Sequence, residues 1–125
     1  MSHEAMRRCI DACNECAIEC EHCATACLKE EDVKMLARCI ALDLECAELC
    51  RTAALLMARG SERAADFCAL CAEACEDCAQ ECERHDMEHC RRCAKACRDC
   101  AEECRRMAGS SARARKTPAA ERAAH

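Results

Sequence analysis

Apolar positions along this chain recur at alternating intervals of four and three residues, and most of them are cysteine. One run passes from Cys9 through Cys13, Cys16, Cys20 and Cys23 to Cys27. A second runs from Cys68 through Cys71, Cys75 and Cys78 to Cys82, and a third from Cys90 through Cys93, Cys97 and Cys100 to Cys104. Steps of three and four keep every such side chain on one stripe of an α-helix. Charged residues such as Glu15, Glu19, Glu73, Glu81, Arg91 and Arg98 fill the positions between, as on the solvated faces of amphipathic helices. A sparser stripe carries Cys39, Cys46 and Cys50, completed by Met35, Leu42 or Asp43, Ala53 and Met57.

The pattern predicts four helices, from about Ser2 to Lys29, Asp32 to Arg59, Ser61 to Arg84, and Asp86 to Ala108. Asp32 and Asp86 are the expected N-caps of the second and fourth helices. Gly60 is placed to end the second helix in a left-handed cap, and Ser61 to cap the third. Connections this short make sequential helices antiparallel, so the expected fold is all-α, an up-down-up-down four-helix bundle with a cysteine-lined core over residues 1–108. From Gly109 the composition turns to Ser, Ala, Arg, Lys and Pro118, and 109–125 is expected to be a disordered basic tail.

Composition sharpens the question of what fills that core. At 125 residues the chain suits one domain, yet Trp and Tyr are absent, Phe67 is the lone aromatic, and Leu, Ile and Val are fewer than the 19 cysteines. A core made of thiols is either small-residue packing or a set of ligands. The net charge of −5 comes from interspersed acidic and basic residues, which gives no nucleic-acid footprint. The longest apolar run, Ala53 to Ala58, is too short to cross a bilayer, and the opening MSHEAMRRC lacks the apolar stretch of a secretory signal. The expectation is a cytoplasmic protein with no membrane association, whose cysteines stay reduced and serve metal or redox chemistry in preference to disulfides.

Spacing then favours metal. Cβ atoms three or four residues apart on a helix are about 5 to 6 Å apart, whereas a disulfide needs about 3.5 to 4.5 Å. Two thiolates on adjacent turns instead fit a linear sulfur-metal-sulfur unit of about 4 to 5 Å. Soft sulfur selects Cu(I), Zn or iron-sulfur clusters. Four thiolates around each Zn leave a net double negative charge, which is costly to bury repeatedly, whereas Cu(I) at about one ion per shared thiolate gives a neutral core. A metallothionein-like Zn or Cd buffer stays open as the alternative. An iron-sulfur electron carrier is a weaker one, because cluster-binding runs wrap loop backbone and do not persist along a helix. Nothing pairs an acid with a base or a cysteine with an activating histidine, so no catalysis is expected.

The repeated C-x3-C-x2-C stripes on three of four helices, from Cys9 to Cys104, resemble the bacterial copper storage proteins of the Csp family, in particular the cytosolic branch without a leader. The resemblance covers nearly all of the chain except the tail. It implies a four-helix bundle holding many Cu(I) ions inside, assembled as a homotetramer, with a function in storing or sequestering copper. The expected partners are copper ions, further copies of the chain, and a copper chaperone or small thiol as donor.

Antiparallel topology sorts the remaining soft side chains into two ends. Met6, Met57, Phe67 and Met107 fall at one end and are expected to plug the core. At the other, His85 continues the register of Cys78 and Cys82, His89 precedes Cys93 by four, and Met35 precedes Cys39 by four. His85, His89 and Met35 are therefore candidate ligands that admit Cu(I), since imidazole and thioether bind it less tightly than thiolate and pass it on. Asp43 occupies a near-core slot where it could accept a hydrogen bond or touch copper, with solvation at the rim the favoured expectation.

Overall fold

The computed structural model describes the backbone of residues 3–124 and the side chains of residues 3–109. Four helices form in sequence: α1, His3–Leu28; α2, Ala37–Ala58; α3, Ala64–Cys82; and α4, Glu88–Ala124, with a short 3-10 turn at Val33–Leu36 ahead of α2. Helices adjacent in sequence pack on one another and α1 closes on α4. Among the described residues the diagonal pairs, α1 with α3 and α2 with α4, make no close backbone approach. The bundle is thus a square of helices around a central space that only side chains fill, as expected for up-down-up-down connectivity.

Two residue types build the square. Cysteines at seven-residue intervals face the axis, and alanines that follow them line the seams: Ala17, Ala24, Ala47, Ala72, Ala79, Ala94 and Ala101 each come directly after a buried cysteine and are themselves buried. The 4-3 repeat is a heptad, so the stripe stays inward along the whole bundle. A single methyl at each flanking position lets neighbouring helices approach without a bulky side chain between them. Several leucines and isoleucines are turned outward, with Ile18, Leu28, Leu44, Leu55 and Leu70 exposed, while Ile10 and Leu36 are buried.

The helix ends depart from expectation in instructive ways. Gly60 holds φ +68°, Ser61 N–H bonds Leu56 O at 2.9 Å and Gly60 N–H bonds Met57 O at 3.0 Å, which is the Schellman pattern expected there. Ser61, however, is not the cap of α3. Its Oγ accepts from Arg63 N–H at 3.1 Å in the preceding turn, and α3 starts at Ala64. Asp32 caps nothing with its side chain, because the chain first makes the 3-10 turn, which buries Leu36 at the bundle end before α2 begins at Ala37. Asp86 likewise precedes the start of α4 at Glu88, and its backbone carbonyl accepts from Arg91 Nη1. The backbone of α4 continues past Gly109 to Ala124, through most of the 109–125 segment.

Candidate metal centre

All 19 cysteines are buried and none is paired in a disulfide. Sulfurs meet first within each helix: Cys16 with Cys20 and Cys46 with Cys50 at 3.9 Å, Cys23 with Cys27, Cys71 with Cys75, and Cys93 with Cys97 at 4.0 Å. They approach as closely across helices, with Cys46 3.5 Å from Cys75, and Cys16 from Cys97, Cys39 from Cys82, Cys50 from Cys71 and Cys13 from Cys100 all at 3.6 Å. With a metal-sulfur bond of about 2.3 Å, three sulfurs around one ion lie about 4.0 Å apart, four about 3.8 Å and two opposed ones about 4.6 Å. The observed spacings match three- and four-sulfur surroundings, whereas the linear pinch along one helix expected from the spacing would need the sulfurs to part.

The sulfurs group accordingly into sets of four drawn from several helices. Cys13, Cys71, Cys100 and Cys104 form one, and Cys16, Cys46, Cys50 and Cys75 another. Cys16, Cys20, Cys46 and Cys97 form a third, Cys20, Cys78, Cys93 and Cys97 a fourth, and Cys23, Cys27, Cys39 and Cys90 a fifth. Cys16, Cys20, Cys46 and Cys97 each belong to two of these sets, so a thiolate there can be shared between two neighbouring positions. Cys9 and Cys68 extend the column beyond Cys104: Cys9 Sγ lies 3.7 Å from Cys104 Sγ, and Cys68 interacts with both. Burial pushes the Cys27 thiol up to about 11, with the neighbouring Cys39 sulfur adding to it, and raises Cys90 for the same two reasons. These thiols are protonated at neutral pH, so a metal must displace protons to bind them.

Asp43 overturns one expectation. It is not at the rim: its exposure is 0%, and the carboxyl stands in the sulfur column. Oδ1 accepts from Cys78 Sγ at 3.1 Å, Cys93 Sγ at 3.2 Å and Cys82 Sγ at 3.5 Å, while Oδ2 accepts from Cys39 Sγ at 3.8 Å. Burial, reinforced by the Cys93 sulfur, raises its carboxyl to about 9. The signal was in the sequence, since 39, 43, 46 and 50 keep the 4-3-4 step of the stripe and Asp43 occupies the position of a cysteine.

The two ends differ as expected, though not all of the candidate ligands come together. Met6, Met57 and Met107 are buried and Phe67 packs against the same core, closing one end. At the other, His89 Nδ1 faces three sulfurs, Cys90 at 3.6 Å, Cys23 at 3.7 Å and Cys27 at 3.8 Å. Its Nε2 lies 3.0 Å from Glu30 Oε2. His85 instead gives its Nε2 hydrogen bond to the buried Glu81 at 2.9 Å, and Glu81 also pairs with Arg38 and Arg84. Met35 is 66% exposed and stands with His85, Met87, Arg84, Glu31 and Asp86 around an open cavity of about 490 Å³. His89 is thus at the sulfurs, and His85 and Met35 are one layer farther out. Met87 and Glu30 escaped the sequence reading, and Glu81, expected on a solvated face, is instead buried at 6% exposure, where His85, Arg38 and Arg84 partner its carboxylate.

A closed square of helices around a column of reduced, shared thiols defines a bundle for holding soft metal ions in number. The chain belongs to the copper storage protein (Csp) family, which it matches over residues 2–109. It is 50% identical over 81 residues to the uncharacterized cysteine-rich protein YhjQ of Bacillus subtilis (strain 168), covering 65% of this chain and 75% of that one. Its fold is similar to that of the Cu(I)-bound copper storage protein BsCsp3, with a TM-score of 0.80 and 48% identity over 83% of this chain and 98% of that one. It is similar also to a cytosolic copper storage protein from Streptomyces lividans carrying five coppers, with a TM-score of 0.82 and 40% identity over 86% and 94% of the two chains.

Proposed function

We propose that this protein stores Cu(I) in the cytoplasm by coordinating many ions along its thiol column. The observation that carries the reading is the sharing of sulfurs: three sets of four overlap through Cys16, Cys20, Cys46 and Cys97 in the middle of the bundle, at spacings that suit bridging thiolates, and further sets continue the column toward both ends. Ions with a single positive charge, at about one per thiolate, leave that column neutral, which removes the main cost of burying so many ionised sulfurs. The ligands are the 19 cysteines, from Cys9 to Cys104. Copper enters at the histidine end, where His85 and Met35 form the outer station and His89 the inner one against Cys23, Cys27 and Cys90. The opposite end is closed by methionine packing. A copper chaperone or a small thiol supplies the ion, and the working assembly is a homotetramer, in line with the family resemblance.

Anaerobic titration of the reduced, metal-free protein with Cu(I) against a competing chelator tests this. Uptake on the order of the thiol count is expected, and saturation at a few ions per chain would overturn storage as the function. Replacing both His85 and His89 with Ala should slow loading and leave capacity nearly intact.

A further inference from the structure

The His89 ring has one nitrogen on sulfur and the other on a carboxylate, and the carboxylate comes from a different part of the chain. Glu30 lies just past the end of α1, where its N–H bonds Cys27 O at 3.1 Å, so its backbone is tied to a residue whose sulfur the ring faces. Its Oε2 reaches across to His89 Nε2 at 3.0 Å. A carboxylate only accepts, so in the neutral ring the proton sits on Nε2 and Nδ1 carries the bare lone pair. That lone pair is the one among Cys90, Cys23 and Cys27, at 3.6, 3.7 and 3.8 Å. We propose that Glu30 is a positioning residue for copper admission: its bond to His89 Nε2–H fixes the tautomer and ring plane that present Nδ1 to an incoming Cu(I) beside those sulfurs. The proposal rests on the reading of His89 as the inner station.

The physical case is one of orientation. His89 stands in the first turn of α4, where the helix contributes little to holding a ring. Without Glu30 the imidazole can rotate about its Cβ–Cγ bond or carry its proton on Nδ1, and either change takes the lone pair away from the sulfurs. Histidines that bind metal commonly give their second N–H to such an acceptor, and loss of that partner typically costs about 10- to 100-fold in affinity or activity. His85 also places its Nε2 on a carboxylate, but Glu81 divides its oxygens between that ring and two arginines, and His85 lines the outer cavity. The Glu30 pairing is the one that bears on the thiols.

Stopped-flow transfer of Cu(I) from a chelator to the reduced full chain tests this in four variants, with final capacity and melting temperature measured alongside. Glu30→Ala should slow the first phase of loading about tenfold and leave capacity and melting temperature close to the unaltered protein. Glu30→Gln should restore most of the rate, because its amide oxygen accepts the same N–H. The double variant Glu30→Ala/His89→Ala should load no more slowly than His89→Ala alone. Loading by Glu30→Ala at the unaltered rate, while His89→Ala is slow, overturns the role of Glu30 and leaves the inner station standing. A Glu30→Gln variant as slow as Glu30→Ala overturns positioning in favour of attraction of the cation by charge, and additive losses in the double variant overturn it equally. If His89→Ala itself loads at full rate, the inner-station reading fails, and this proposal with it.

Discussion

Asp43 makes the metal-free protein pay for its carboxyl as pH rises, and replacing it with Asn exposes the size of that effect. Its carboxyl is raised from 3.8 to about 9 by burial among the sulfurs, so the folded state keeps this proton over a range in which the unfolded chain releases it. With one more proton on the native state, stability falls as pH rises, by about 1.4 kcal/mol per unit between roughly pH 4 and pH 9. The stabilising contribution of the neutral acid is complete below the unfolded value and is lost by the folded one. Asn has nearly the same shape, offers an acceptor to Cys78 and Cys93, and does not titrate. The stability of Asp43→Asn minus that of the unaltered protein should therefore grow by about 3 kcal/mol from pH 5 to pH 7.5. Taking the difference cancels titration of the thiols, which both proteins share. Urea unfolding of the two reduced, chelator-treated proteins, followed by far-ultraviolet circular dichroism at several pH values, measures it. A difference that stays constant with pH would show that Asp43 is ionised in the native column and would refute the reasoning.

Copper uptake should release about one proton for each Cu(I) bound to the first thiols, since burial keeps Cys27 and Cys90 protonated; a pH indicator in weakly buffered solution reads this, and near-zero release would mean that the thiolates are already ionised. Met57→Ala should cost about 2 to 5 kcal/mol of stability, because Met57 is fully buried at the closed end, while leaving Cu(I) capacity unchanged. Gly60→Ala should cost about 1 to 2 kcal/mol in denaturant unfolding from backbone strain alone, since φ is +68° and an added Cβ would meet nothing within 4 Å.

Most of the fold was legible because cysteine served as both the periodic residue and the functional one. Steps of three and four between Cys9 and Cys104 identify helices whichever residue type carries them, and the same stripe identifies the ligands. Local signals failed where a longer-range demand opposed them. Asp32 has the chemistry of an N-cap, but burying Leu36 against the core requires a 3-10 turn first, and the helix waits until Ala37. Asp43 was misjudged because an acid usually seeks water, a prior that its place in the stripe outweighs. Glu30 had no local signal at all: its bond to His89 joins residues on different elements, and only the folded bundle end brings them together.

The overlap of the sulfur sets bears on how ions move inward as well as on where they rest. An ion held by Cys20, Cys78, Cys93 and Cys97 can pass to the set Cys16, Cys20, Cys46 and Cys97 while Cys20 and Cys97 remain bound to it. The next step, to Cys16, Cys46, Cys50 and Cys75, keeps Cys16 and Cys46. Each transfer exchanges two ligands and never releases a bare ion into a low-dielectric interior, where an unpaired charge is most costly. Between the His89-facing sulfurs and this inner column stands Asp43, with Cys39 on one oxygen and Cys78, Cys82 and Cys93 on the other. The thiols already touch at 3.5 to 4.0 Å, so each arriving ion binds among sulfurs that are in contact before it comes. A core built of small, shared ligands can therefore be packed before copper arrives and can fill in steps, which a core of leucines with isolated metal sites could not do.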